Sequence, residues 1–489
     1  FGRFCDLYGC SSPNALPSTI KMEEPVTGNS TVNHNNGFAT KAEDGFILTW
    51  KSYGIDGDSW GIFAKYFYLN GSVRKMDFQV TKEFNHSQEA SSVTATEDGY
   101  VFVWQSEGQD PGDNLYEEGI YARYYYENGT IKKDEFRVNN HTNGDQNTPV
   151  LCKTNNGYVI SWDGEGSEDN QGVYAKQYYR NGTTKKNDFI VNDYTTDFQG
   201  SPSVACLKDG YIIVWWGEGP GDNRGVYGKR YYNNGTAKAS QFLVNEETSY
   251  DQAYPETAPT SEGYIIVWQS EHQDPGDATN EDGVYAKQYY INDTVQKHEF
   301  RVNEVTAGNQ NWPSVTQIND GYGITWDAES AEYGEIYAKL YYSNGSIMKN
   351  EFRINNHTEN IQGQSTIAGT TDGFIVTYKS YTPERDIYLR QFSKYHSSIM
   401  DDQVNPALEI ISPTSRNYSN PYIDFNMSAD EALDLCNFTV DDWHTNKTMI
   451  KLNSSYFYNE SVLLKNGGYT ARFLCKDTVG NINDTVYVH

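Results

Sequence analysis

The chain holds 489 residues, 15% of them aromatic with 40 Tyr, and carries a formal charge of −28. Such an excess of carboxylates excludes a nucleic-acid or anionic-membrane partner, because no basic patch remains to neutralise phosphates. No apolar run approaches the roughly 20 residues that span a bilayer, so no transmembrane segment is expected, and no helical periodicity is sustained.

In chain order, residues 1–17 carry Pro13, Pro17 and a short loop between Cys5 and Cys10 but no recognisable element. They read as an arm outside the domains, either a disordered terminus or a segment that docks on a neighbouring copy through Phe1, Phe4 and Leu7. Residue 1 is Phe rather than Met, which predicts that the numbering starts after a removed signal peptide.

From residue 18 the text repeats. Gly45-Phe46, Gly99-Tyr100, Gly157-Tyr158, Gly210-Tyr211, Gly263-Tyr264, Gly321-Tyr322 and Gly373-Phe374 recur every 52 to 58 residues. Five residues after each glycine stands Trp50, Trp104, Trp162, Trp215, Trp268 or Trp326, with Tyr378 in the seventh place. That period is the length of a four-stranded propeller blade. In the second repeat the predicted strands fall at Ser92-Val93, Tyr100–Trp104, Ile120–Tyr126 and Glu135–Val138, with Asp98-Gly99 and Asn128-Gly129 as hairpin turns. The seventh repeat has no fourth strand after Ile387–Arg390, whereas Thr19–Met22 precedes the first repeat at the offset such a strand needs. The expected architecture is therefore all-β: a seven-bladed β-propeller over 18–393, closed by its own N-terminal strand. A linker at 394–406 follows. The alternating runs of 407–489, about ten residues apart, predict an Ig-like β-sandwich.

The blade text Glu135–Asn139, Gln146, Pro149 and Gly157–Trp162 resembles repeats of large microbial surface and adhesin-like proteins. The stretches Leu435–Thr439 and Leu474–Asn481 look like the Ig-like modules of archaeal surface glycoproteins, and the combination resembles protomers of extracellular glycoprotein fibrils. The resemblance implies surface display and assembly, and supplies no catalytic residue.

Seventeen Asn-x-Ser/Thr sequons are present. Six fall at one turn of successive repeats: Asn70, Asn128, Asn181, Asn234, Asn292 and Asn344. Asn85, Asn140 and Asn356 follow the fourth strand, with Asn29 equivalent, and Asn417, Asn426, Asn437, Asn446, Asn453, Asn459 and Asn483 crowd the last domain. An Asn-Gly hairpin explains the asparagine but not the Ser or Thr two places on, so N-linked glycans are expected. Six cysteines without a C-x-x-C pair fit disulfides of an oxidising, extracellular location. Cys5–Cys10 and Cys436–Cys475 are the expected pairs, and Cys152 with Cys206 stays open.

Asp110, Asp113, Asp274 and Asp277 flank two Pro-Gly turns. They could ligate Ca²⁺, but the spacing completes no calcium loop and suits solvated turns. The repeated Trp residues read as core. Trp60, Trp216 and Trp312 break the repeat and read as exposed contact residues. With sparse Arg, no His metal spacing and no Gly-x-Ser-x-Gly elbow, no catalytic residue and no required cofactor are expected. The expectation is a structural subunit of a glycosylated filament or surface layer, with the chain itself as partner. A lectin-like carbohydrate-binding propeller is the alternative, and a glycoside hydrolase the third reading.

Overall fold

A computed structural model describes residues 18–393 apart from 28–31, 56, 58, 83–85, 110–116, 274–280, 330–333, 357–360 and 382–385. Within 408–488 it describes all but 415–421, 430–432, 441–446, 454–455, 465–466 and 478–481. Phe1, Phe4, Leu7, Cys5, Cys10, Asp110, Asp113, Asp274, Asp277, Asn29, Asn85, Asn417 and Asn446 lie outside the described residues. The chain divides into two compact units, 1–398 and 399–489. Among the described residues no helix is long and apolar enough to cross a membrane.

The first unit is all-β and built from four-stranded antiparallel sheets of propeller type. The first sheet runs His34–Lys41, Gly45–Tyr53, Trp60–Tyr68 and Val73–Gln79 in that spatial order. Five further meanders follow at 88–137, 146–190, 199–243, 252–301 and 310–353. The seventh sheet takes three strands from Gln362–Gly369, Gly373–Ser380 and Asp386–Ser393, and its fourth is Ser18–Pro25. Pairing is antiparallel, with Thr19 opposite Phe392 and Pro25 opposite Tyr388. The first strand of each sheet neighbours the first strand of the next, and Gln362–Gly369 lies beside His34–Lys41, so the cycle returns to its start.

The repeated residues make this architecture. Each anchor glycine faces the carbonyl of the next-to-last residue of its sheet's third strand. A Cβ on Gly99 would lie 1.8 Å from Tyr125 O, and one on Gly321 1.8 Å from Tyr341 O. The aromatic after the glycine stacks on a third-strand aromatic, as in Tyr158–Tyr178 at 5.1 Å and Tyr211–Tyr231 at 5.0 Å. The six repeat tryptophans are buried as expected.

At every seam a cation of the third strand reaches the carbonyl of the residue just after the previous sheet's outer strand. Lys65 Nζ donates to Val26 O (2.8 Å), Arg123 Nη1 to Val80 O (2.9 Å), and Lys176 Nζ to Val138 O (2.7 Å). Lys229 donates to Val191 O (2.9 Å), Lys287 to Val244 O (3.0 Å), Lys339 to Val302 O (3.0 Å), and Arg390 to Ile354 O. The Lys65 bond crosses from the first sheet to the strand segment that completes the seventh. Within a sheet, a buried Asn after the outer strand accepts the N–H of the third strand's start: Asn139 from Ile120, Asn192 from Val173 and Asn245 from Val226, each at 2.8 Å. Cys152 and Cys206 form a disulfide between the first strands of the third and fourth sheets, which resolves the open pairing.

The second unit holds two four-stranded sheets. One is ordered Leu408–Ser412, Tyr422–Ala429, Tyr456–Leu463 and Ile450–Asn453. The other is Lys447–Thr448, Leu433–Thr439, Ala471–Asp477 and Ile482–Val488. Phe425, Phe438, Phe473 and Met427 form their shared core. The expected Cys436–Cys475 disulfide is present, and it joins directly opposed residues of one sheet.

Candidate functional site

Each first strand of the propeller carries a β-bulge near its start, where the register slips by one residue, as between Asn147 and Val150 or Asn311 and Ser314. The slip leaves one non-glycine residue in the left-handed region: Asn36 (φ 53°), Ala90 (45°), Thr148 (46°), Ser201 (50°), Tyr254 (50°), Trp312 (52°) and Gln364 (55°). Left-handed backbone costs about 1–3 kcal/mol at such residues, and bulges re-aim side chains beside functional sites. All seven line one axial cavity of about 860 Å³. The framework residues recur from sheet to sheet, whereas this ring position holds seven different side chains. The lining also includes Asp327, Glu329 and Gly334, which flank a loop between second and third strands. The cavity thus lies toward that end of the strands, opposite the turns that join third to outer strands.

At three anchor tryptophans the next residue supports the bulge of the following sheet. Gln105 Oε1 accepts Thr148 N–H at 3.0 Å, and Asp163 Oδ1 accepts Ser201 N–H at 3.3 Å and the Thr148 hydroxyl. Asp327 accepts Gln364 N–H, Ser365 N–H (3.1 Å) and the Ser365 hydroxyl (2.7 Å). In the fourth sheet this place holds Trp216, and a ring contact replaces the hydrogen bond: Trp216 lies 5.8 Å from Tyr254, which lies 4.3 Å from Trp312. Phe198 extends the series on the far side of Trp216, at 5.0 Å. The result is an aromatic shelf that ends in Trp312, half exposed and on the cavity wall.

Beside Tyr254 in the chain, Glu256 also lines the cavity, and the Ser203 hydroxyl donates to its Oε2 at 2.7 Å. Desolvation pushes the Glu256 carboxyl up to about 7, against the hydrogen bonds from Ser203 and Thr257. Burial pushes Asp327 up to about 6, against its bonds from Ser365 and Gln364. Burial thus raises both carboxyls of the cavity wall above the ordinary carboxylate range, Glu256 the further. An aromatic shelf beside two unequal carboxyls can stack a sugar ring and move a proton.

Several sequence expectations change. Of the three off-repeat tryptophans only Trp312 is exposed. Trp60 lies against Tyr53 and under Lys51, and Trp216 is wedged between Phe198 and Tyr254. The Ser or Thr of the six turn sequons has a structural role of its own: the Asn128 Oδ1 accepts both the N–H (2.9 Å) and the hydroxyl (2.7 Å) of Thr130, and the other five repeat this. Asn140 accepts from Lys176, and Asn356 from Arg390. Asn426, Asn437, Asn453, Asn459 and Asn483 lie within strands of the second unit. Glu256, Asp327 and Tyr254 were not singled out by the sequence, where each occupies an ordinary strand position. Each stands at a different register place: Tyr254 at the bulge, Glu256 two residues on, and Asp327 directly after an anchor tryptophan.

No family model and no curated relative matches the chain. Among solved structures it is similar to a polysaccharide lyase of family PL25, an ulvan lyase (11% identity, TM-score 0.46, covering 74% of this chain and 94% of that one). It is also similar to the GH93 α-L-arabinofuranosidase of Fusarium graminearum in complex with arabinobiose (10%, TM-score 0.42, 62% and 92%). A third is the β-propeller domain of the trilobed protease from Pyrococcus furiosus (10%, TM-score 0.43, 75% and 97%). The expectation of a non-catalytic filament subunit is corrected by this set, in which the propellers belong to carbohydrate-active enzymes and a protease. The physical reason lies in the axial cavity: repeats that resemble surface proteins say how a disc is built and nothing of what its centre holds.

Proposed function

We propose that this protein is a carbohydrate-active propeller that takes a neutral saccharide chain into its axial cavity and cleaves a glycosidic bond there. The observation that carries the reading is that Trp312, packed at a tilt against Tyr254, and Glu256 share one cavity wall. A saccharide ring would lie on the Trp312 face. Glu256, in its acid form, would protonate the departing glycosidic oxygen, while Asp327 as a carboxylate would take a proton from the water that adds to the anomeric carbon as that C–O bond breaks. The charge of −28 disfavours acidic polysaccharides and favours neutral ones.

The finer architecture belongs to the same proposal: seven blades in a closed ring, with residues 407–489 as an Ig-like sandwich. So do an extracellular location, which the disulfides support, and N-linked glycans on the third-to-outer turns, away from the cavity. A resemblance to archaeal surface glycoproteins is compatible with all of these.

A panel of neutral oligosaccharides tests the reading by tryptophan fluorescence and by reducing-end release. Trp312→Ala should weaken binding about tenfold or more. Glu256→Gln should abolish release while leaving binding intact, and wild-type release should fall as pH rises through about 7, where the acid form of Glu256 is lost. Absence of both binding and release across the panel overturns the proposal.

A further inference from the structure

Each of the six turn sequons is preceded, two residues earlier, by a tyrosine: Tyr68, Tyr126, Tyr179, Tyr232, Tyr290 and Tyr342. These end their sheets' third strands and are 41–50% exposed, although the aromatic residues just before them, Phe67 in the first sheet and tyrosines in the others, are buried. In each turn the tyrosine N–H donates to the carbonyl of the Ser or Thr four residues on, and the residue after the Asn donates back to the tyrosine carbonyl, all at 2.8–2.9 Å. The residue after the Asn is left-handed, at φ 70–84°: glycine in five turns, Asp293 in the fifth sheet. This is a three-residue hairpin loop with a bulge. It places the Tyr and the Asn in one tight loop, and the Asn Oδ1 is held by the hydroxyl and N–H of the Ser or Thr. The amide nitrogen, the atom that would carry a sugar, takes no part in those bonds.

We propose that each of these tyrosines is a platform on which the first sugar of a glycan on the following Asn packs, so that glycan and turn stiffen one another six times around the disc. The proposal rests on glycosylation of these turns. The apolar face of a pyranose suits an aromatic ring, and a glycan already tethered two residues away adds that contact at little entropic cost. Three of the rings carry a cation on one side: Arg74 lies 5.9 Å from Tyr68, Lys132 5.7 Å from Tyr126 and Lys238 5.2 Å from Tyr232. Even so, each keeps about half its surface open. The chemistry is general to the turn, which explains why the fifth sheet keeps Tyr290, Asn292 and Thr294 while replacing glycine by Asp293.

Tyr179 and Asn181 give the cleanest test, because among the described residues no cation lies over the Tyr179 ring. Wild-type, Tyr179→Ala and Tyr179→Phe proteins are made in cells that attach N-glycans and in cells that do not. Asn181 occupancy is read by glycopeptide mass spectrometry, and hydrogen exchange of the 179–183 turn amides by mass spectrometry. With Tyr or Phe present, the glycan should slow turn exchange about fivefold, the weight of one aromatic contact. With Ala present it should slow it hardly at all. Equal slowing in the Tyr and Ala backgrounds overturns the platform and leaves glycosylation standing. A bare Asn181 from the glycosylating host overturns both.

Discussion

Trp312 and Tyr254 hold left-handed backbone that large side chains resist, and they hold it because the bulge is fixed from the neighbouring sheets. The same supports bury carboxyls. Desolvation pushes Glu118, Asp163 and Glu256 up to about 7 and Asp327 to about 6. An unfolded carboxyl releases its proton near 4. Between about pH 4 and 7 the folded chain therefore holds more protons than the unfolded one, so stability falls as pH rises across that window. Thermal unfolding followed from pH 4.5 to 7.5 should show a declining midpoint, and Glu256→Gln should flatten the decline. A midpoint that climbs over this range contradicts the assignment. None of this was legible in the sequence, where Glu256 and Asp327 are two among 66 acidic residues.

The sheet elements were the most legible part, because glycine and aromatics at fixed spacing are strong signals. Even there the reason differed. Asp98-Gly99 reads as a turn that wants positive φ, yet the demand on Gly99 is the 1.8 Å approach of Tyr125 O to a Cβ position. The Tyr-Ala-Lys text was legible as a third strand, but the lysine's task was not, since its partner is a carbonyl in the preceding sheet. Lys229→Met should leave Val191 O and Asp193 without their cation and cost about 1–3 kcal/mol, read by denaturant unfolding. Asn192→Leu should cost about as much, by orphaning the Val173 N–H. A loss under about 0.5 kcal/mol in both variants would remove these seams from the account of stability.

At the scale of the molecule, the closing strand was foreseen from a missing piece at one end and a spare piece at the other. The Cys152–Cys206 link staples two neighbouring sheets across 54 residues. Replacing both cysteines by serine should lower stability by about 4 kcal/mol on the loop-entropy scale, measured by denaturant unfolding with and without reductant. The axial cavity escaped the sequence because every sheet contributes its bulge residue to the lining, seven places spread over more than 300 residues. A repeat-based reading averages away those positions, and it is there that the disc ceases to be symmetric. The most direct measurement is a structure of the protein soaked with a neutral oligosaccharide that it binds. The account predicts a sugar ring over Trp312 with a glycosidic oxygen beside Glu256. Saccharide bound only on the outer surface of the disc, with the axial cavity empty, would contradict it.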